Sequence, residues 1–322
     1  MIFLRAFPFS FAIMWRYLLV LPILIVAMAV FGAVAVVFAL VFGLFAPFLA
    51  ILFVIAFGLA SSVIPIMVGM RVGLQAHDVR PRNSYAGLML PAIGYGFFEG
   101  LCVSIMLVAC VALFVFATPL DVTDLLAMQG AEDAVVFATL FEASPVLTFG
   151  CLIVGGGLTI ALRTALLVPF AGASIGADPG GRSHTPFYGF GDGFGTLLIL
   201  VLVSYLGSVF TMPFVVWLTI QLGLAESLAA TAATMDSVDS FADLAAFGIE
   251  GAAILGLALL MFLWFFSLQC AGAVLVFMQR FQGVVAIKQE RNKKLAADLE
   301  DQPSEAPDVM QLIRSRMQNN RD

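Results

Sequence analysis

Long uncharged stretches separated by short charged ones dominate the chain. From Tyr17 to Met70, 54 consecutive residues include no Asp, Glu, Lys or Arg, whereas about 20 apolar residues are enough to cross a bilayer once. Gly43 and Pro47 offer a turn inside this stretch, because proline is well tolerated in the first turn of a helix. The stretch therefore predicts two membrane spans.

The same pattern continues and predicts six spans in all. Their approximate ranges are 17–42, 47–70, 97–118, 145–168, 194–220 and 251–278. Apolar residues make up 62% of the chain and charged residues 11%, whereas soluble domains have about 45–50% and about 25%. We therefore expect an all-α integral membrane protein, with a six-helix transmembrane domain over 1–282 and a charged cytoplasmic tail over 283–322.

The basic residues indicate the orientation of these spans. All 15 lie before span one, between spans two and three, at or after the end of span four, or after span six. The intervening loops 119–144 and 221–250 contain acidic residues and no basic ones. Because cytoplasmic flanks retain Lys and Arg, both termini are predicted to be cytoplasmic. We interpret the chain as a multi-pass protein of a bacterial inner membrane.

Two parts of the chain share a pattern that predicts an internal repeat. Each has Phe-Gly, then Arg thirteen residues after the glycine, then a loop of about two dozen residues and Tyr-Gly-Phe-x-acid-Gly. The matching positions are Gly58, Arg71 and 95–100 in the first copy, and Gly150, Arg163 and 188–193 in the second. Both copies would run outside to inside to outside, so the repeat is parallel and not inverted.

A weaker match extends this pattern to a third copy. Phe7-Pro8-Phe9 opens span one, and Arg280 closes span six. The fold would then consist of three two-helix hairpins in pseudo-threefold order.

The start of the chain carries a resemblance to a known family. Phe9-Ser10-Phe11 leads to Trp15-Arg16 ahead of the first span, and long glycine-bearing loops follow spans two and four. With six spans, this arrangement resembles bacterial membrane proteins of the glycerophosphoryl diester phosphodiesterase membrane-domain or YciC-like type. The resemblance is architectural and implies a non-catalytic membrane module.

Four charges near the cytoplasmic surface are the first candidate site. Arg71 and Arg163 end spans that run inward, and Glu99 and Asp192 begin spans that run outward. They could form a charge ring at the mouth of a pathway, since charges at membrane depth often mark one. Alternatively, they complement helix dipoles, and the arginines extend to the lipid headgroups.

Two further segments have predicted roles. The uncharged stretch Asn83 to Phe98 is interpreted as an interfacial or re-entrant segment with Tyr85 and Tyr95 at headgroup level. In the tail, a short helix begins at Asp308. Its candidate partner-docking face consists of Val309, Met310, Ile313 and Met317.

Enzyme and cofactor signatures are absent from the sequence. It contains no GxSxG, HExxH or Walker lysine motif, and its four cysteines form no CxxC pair. We therefore predict a non-enzymatic protein without cofactor, metal or nucleic acid. Its partners would be membrane lipids and other membrane proteins, in a scaffold or accessory role. The alternative is a transporter or channel for a small or amphiphilic, lipid-like solute.

Overall fold

The computed structural model describes residues 2–45, 47–121, 123, 133–178, 183–236 and 248–300. Within these residues the chain is all-helical, apart from loops and one isolated bridge between Ala177 and Ser183. The helices are α1 (Ile2–Phe45), α2 (Pro47–Gln75), α3 (Met89–Ala117), α4 (Asp133–Ala143), α5 (Pro145–Ile175), α6 (Phe194–Gln221), α7 (Ala225–Asp236) and α8 (Gly248–Glu300). A short 3-10 helix, Ala86–Leu88, precedes α3.

Five segments of the described chain are long and apolar enough to cross a membrane. They are Ile2–Gly43, Ala86–Ala117, Pro145–Ile175, Phe194–Gln221 and Gly248–Gly283. Helix α2 covers the range predicted for span two, but it is not among these five segments, so its crossing of the membrane stays a prediction. The two shorter helices, α4 and α7, lie within the predicted acidic loops.

The first and last long helices extend beyond their predicted spans. Helix α1 begins at Ile2 and not near residue 17, because its first turns pack against the bundle and bury Ala6, Ser10 and Ile13. Helix α8 continues past residue 278 to Glu300. Met1–Phe277 form one compact unit, and the residues from Met278 onward form a second. The predicted docking residues Val309, Met310, Ile313 and Met317 lie outside the described residues.

The structure also differs from the prediction for Asn83 to Phe98. The 3-10 turn leads directly into α3 at Met89, so most of this segment is the start of a long helix. Pro91 falls in the first turn of that helix, where its missing N–H costs no hydrogen bond. Tyr95 is buried at 4% exposure and does not lie on the surface, whereas Tyr85 is 49% exposed.

The most closely packed part of the first unit lies where the predicted cytoplasmic ends of the helices meet. Consecutive residues are buried in α2 (66–74), α5 (164–175) and α8 (270–274). Glycines allow this close approach: a Cβ on Gly73 would lie 2.8 Å from Ile13, and one on Gly272 would lie 2.6 Å from Leu200. Small residues at helix contacts are typical of membrane proteins, where van der Waals packing drives association.

Candidate functional site

Arg71, the first candidate charge, is buried among backbone carbonyls. Its Nη1 donates to Asn83 Oδ1 (3.2 Å), Ser84 O (3.3 Å) and Ser174 O (3.3 Å), and its Nη2 donates to Asn83 O (2.8 Å). The guanidinium also lies 4.2 Å from the centre of the Tyr85 ring. Ser174 belongs to the last turn of α5, where a cation complements the negative end of the helix dipole. These contacts fit a structural role for Arg71.

Asn83 completes the attachment of this loop to α5. Its Nδ2 donates to Ala173 O at 3.1 Å, and the neighbouring Arg82 N–H donates to Ile175 O at 2.8 Å. Helix α5 ends at Gly176, whose φ of +68° is left-handed and whose Cβ, if present, would lie 3.2 Å from Asn83. The loop after α2 therefore satisfies carbonyls that the end of a helix leaves without partners.

Arg163, the second candidate charge, forms an ion pair with Glu99. Arg163 Nη1 donates to Glu99 Oε2, and its Nη2 donates to Ser62 O at 3.3 Å. The side chains are 21% and 15% exposed, respectively. The pair connects α5 to α3, and the bond to Ser62 adds α2. Arg163 lies twelve residues before the end of α5, so it acts within the bundle and not at a helix terminus.

Asp192, the fourth candidate charge, lies in the turn that precedes α6. Its N–H donates to Gly189 O at 3.0 Å. Gly189, Gly191 and Gly193 all have positive φ, between 63° and 84°. A Cβ on Gly189 would approach Val168 to 2.7 Å, so the turn also needs glycine for space. The structure thus joins Arg163 to Glu99 and gives Arg71 a separate set of partners; a functional ring of all four charges stays a prediction.

A polar cluster that includes the buried Tyr95 and Asp178 links this region to the loop between α5 and α6. Tyr95 Oη lies 2.8 Å from His184 Nε2. Asp178 Oδ1 lies 3.6 Å from His184 Nδ1, and the two Asp178 oxygens accept from Thr185 N–H and Oγ1–H at 3.1 and 3.0 Å. Burial lowers the pKa of His184 below its ordinary value, and Asp178 offsets part of this effect. Burial therefore favours the neutral form of the imidazole.

Sequence reasoning missed this cluster. His77, the other histidine of the chain, is exposed, and its ring lies 4.7 Å from that of Phe9. Tyr95 and His184 are 89 residues apart. No local spacing connects them, so the pairing could be found only from the tertiary structure.

An apolar cleft of about 890 Å³ lies between α3, α5 and α6. Helix α4 contributes Val136, Phe137 and Leu140 to its lining. Thr148 Oγ1–H donates to Leu140 O at 2.8 Å, which holds the end of α4 against the start of α5. The glycine run 155–157 of α5 also lines the cleft. A second apolar cavity, of about 420 Å³, lies between α1, α2 and the start of α3.

Metal-binding geometry is not found in the described part of the chain, where no group of three or more His, Cys, Asp or Glu side chains is placed to hold an ion. All four cysteines are free. Cys110 and Cys151 line the cleft together, one from α3 and one from α5.

Comparisons with known proteins add no family. No protein-family model, curated protein or solved structure matches the chain. The cleft, the two arginine environments and the His184 cluster are therefore interpreted from their own chemistry.

Proposed function

We propose that the chain is a non-enzymatic six-span protein of a bacterial inner membrane, with both termini in the cytoplasm. The five apolar helices and the length of α2 support this number of spans. The one-sided distribution of Lys and Arg supports the orientation. The architectural resemblance to the glycerophosphoryl diester phosphodiesterase membrane-domain or YciC-like proteins supports a non-catalytic role.

Within that membrane we propose a scaffold or accessory role. The supporting observation is how the candidate charges are used: Arg71 binds carbonyls and Arg163 pairs with Glu99. A polar solute would need such groups to line its path. Here they connect helices, and the large cleft beside them is apolar. A bundle held rigid by internal polar contacts suits a protein that positions others.

The tail offers a direct test of this role. The chain would be purified from its native membrane in nanodiscs, and bound proteins and lipids would be identified by mass spectrometry. We expect a stoichiometric protein partner that is lost when Val309 and Ile313 are both changed to Asp. Changing Gln311 and Ser315 both to Asp adds the same charge off the proposed apolar face and should retain the partner. Recovery of the chain without any stoichiometric protein would contradict the scaffold role.

Handling of a lipid-like solute is the second candidate function. It is favoured by the cleft, because ligand sites are commonly apolar cavities of about 300–1,000 Å³. In the same purification, a defined lipid at constant stoichiometry without a protein partner would favour this candidate.

A further inference from the structure

The dimensions of the cleft match the depth of half a bilayer. Its lining along α5 extends from Thr148 to Ile160, a rise of about 18 Å at about 1.5 Å per residue. The hydrocarbon core of a bilayer is about 30 Å thick, so one leaflet contributes about 15 Å. An acyl chain as long as one leaflet is thick would therefore fill most of the length of the cleft.

The cleft opens sideways, toward the lipid. The lining residues Leu152, Ile153 and Leu206 remain 54%, 71% and 53% exposed. Gly156 and Gly157 also line it, and a Cβ on either would meet no atom within 4 Å. The cleft is therefore deep at these two positions because glycine has no side chain to fill it. A chain lying there contacts three helices, and so gains more dispersion contacts than a lipid on the outer face of one helix.

Charge at the two ends restricts the headgroup. The sequence has no Lys or Arg between Arg82 and Arg163. At the end covered by α4, Glu142 is exposed, and it would repel an anionic headgroup. Past the other end, one turn beyond Thr159, the Arg163 guanidinium is engaged by Glu99. Among the residues that the structure describes, neither end therefore offers an available cation to a phosphate or carboxylate with net negative charge.

We propose that this cleft retains an acyl chain of a zwitterionic or uncharged membrane lipid as a resident ligand. The site is formed by α3, α5 and α6, and α4 closes one end. This inference uses the cleft of the second candidate function but does not depend on transport: a scaffold can hold a lipid as a structural component. Loss of the protein partner and loss of the lipid are measured separately.

Photo-crosslinking tests the proposal directly. The full chain would be placed in nanodiscs of phosphatidylethanolamine and phosphatidylglycerol, with a trace of phosphatidylethanolamine carrying a diazirine in its acyl chain. We expect crosslinks concentrated on the cleft-lining parts of α3, α5 and α6. Gly156→Leu fills the cleft and should reduce them to the level of other lipid-facing segments. Gly150→Leu adds the same side chain to α5 in open space outside the cleft and should leave them unchanged.

Two controls make the outcome decisive. Size-exclusion profile and thermal midpoint report whether each variant is folded, and the wild-type crosslinking map tests the site without any substitution. A map spread evenly over the lipid-facing helices, or one that Gly156→Leu leaves concentrated on the cleft, would overturn the proposal. Diazirine-labelled phosphatidylglycerol should label the cleft less than the phosphatidylethanolamine probe does. Equal or stronger labelling by phosphatidylglycerol would overturn the assignment of the headgroup.

Discussion

Arg71 and Arg163 occupy matching positions in the two predicted copies of the repeat, but their partners differ. Helix α2 ends four residues after Arg71, so the following loop can fold back and offer its carbonyls. Helix α5 continues for twelve residues beyond Arg163, which leaves that arginine beside α3 and its Glu99. The comparison shows that the point at which a helix ends determines whether its arginine meets the loop that follows or the neighbouring helices.

Removing Arg71 should have the largest effect on stability. Arg71→Met leaves the carbonyls of Asn83, Ser84 and Ser174 without their donor, at an expected cost of about 3 kcal/mol. The thermal midpoint and denaturant unfolding of the detergent-solubilised protein would measure this loss. Arg71→Lys keeps the charge but supplies fewer directed donors, and should cost less.

The matched control for Arg71 is Arg80→Met, which removes an exposed arginine from the same loop region. It should change stability by less than about 0.5 kcal/mol. Similar losses for Arg71→Met and Arg80→Met would show that the buried carbonyl contacts of Arg71 contribute nothing.

The contributions of Arg163 and Glu99 to stability should be coupled, whereas those of Arg71 and Glu99 should be independent. Arg163→Gln and Glu99→Gln are each expected to cost about 2 kcal/mol, because each leaves a partly buried charge without its partner. In a double-mutant cycle the two losses should fall short of additivity by about 1 kcal/mol. The equivalent cycle for Arg71→Gln and Glu99→Gln should be additive. Coupling in the second cycle, and none in the first, would reverse the assignment of partners.

Gly189 and Gly94, which lie in or beside the two Tyr-Gly-Phe motifs, should respond differently to alanine. Gly189 has a φ of +84° and lies against Val168, so Gly189→Ala should destabilise the protein by about 1–2 kcal/mol. Gly94 lies in α3, just before the corresponding Tyr95 motif, with open space around it. Gly94→Ala should therefore be neutral or stabilise by about 0.5–1 kcal/mol. The unfolding midpoints of the two variants would measure these effects. If both substitutions destabilised the protein, the contrast between the strained Gly189 and the helical Gly94 would be wrong.

The two loop histidines should differ in their effect on pH dependence. The pKa of His184 is lowered by burial, so the unfolded chain binds a proton at this site more readily than the folded protein. Its contribution to stability is complete above the ordinary histidine pKa of about 6.5 and is lost as the pH falls below it, with a slope of at most about 1.4 kcal/mol per pH unit. Thermal midpoints between pH 7.5 and 5 would show it.

His184→Gln should flatten that dependence, whereas His77→Gln, at an exposed position, should leave it unchanged. If His77→Gln also flattened the curve, or if His184→Gln did not, the buried cluster would not be the source of the effect.

Much of the helical layout could be predicted from hydrophobic runs alone. The observed α6, Phe194–Gln221, differs from the predicted 194–220 by one residue, because Gly193 with positive φ begins the helix and Gly223 ends it. The prediction was poorest where apolar residues face protein and not lipid. Hydropathy does not distinguish these two surroundings, so span one was begun too late, at residue 17, and the buried Tyr95 was placed at headgroup level.

The sequence by itself determined that the chain is helical and built for an apolar solvent, because long runs without charge satisfy their backbone groups in lipid only as helices. It also predicted that Arg71, Arg163, Glu99 and Asp192 lie toward the same side of the membrane. The tertiary structure decided which of them meet: Glu99 with Arg163 across 64 residues, Arg71 with Ser174 across 103. Each of these charges could pair with several groups at a similar energy, and only the packing of the helices brings one of those groups within hydrogen-bonding distance.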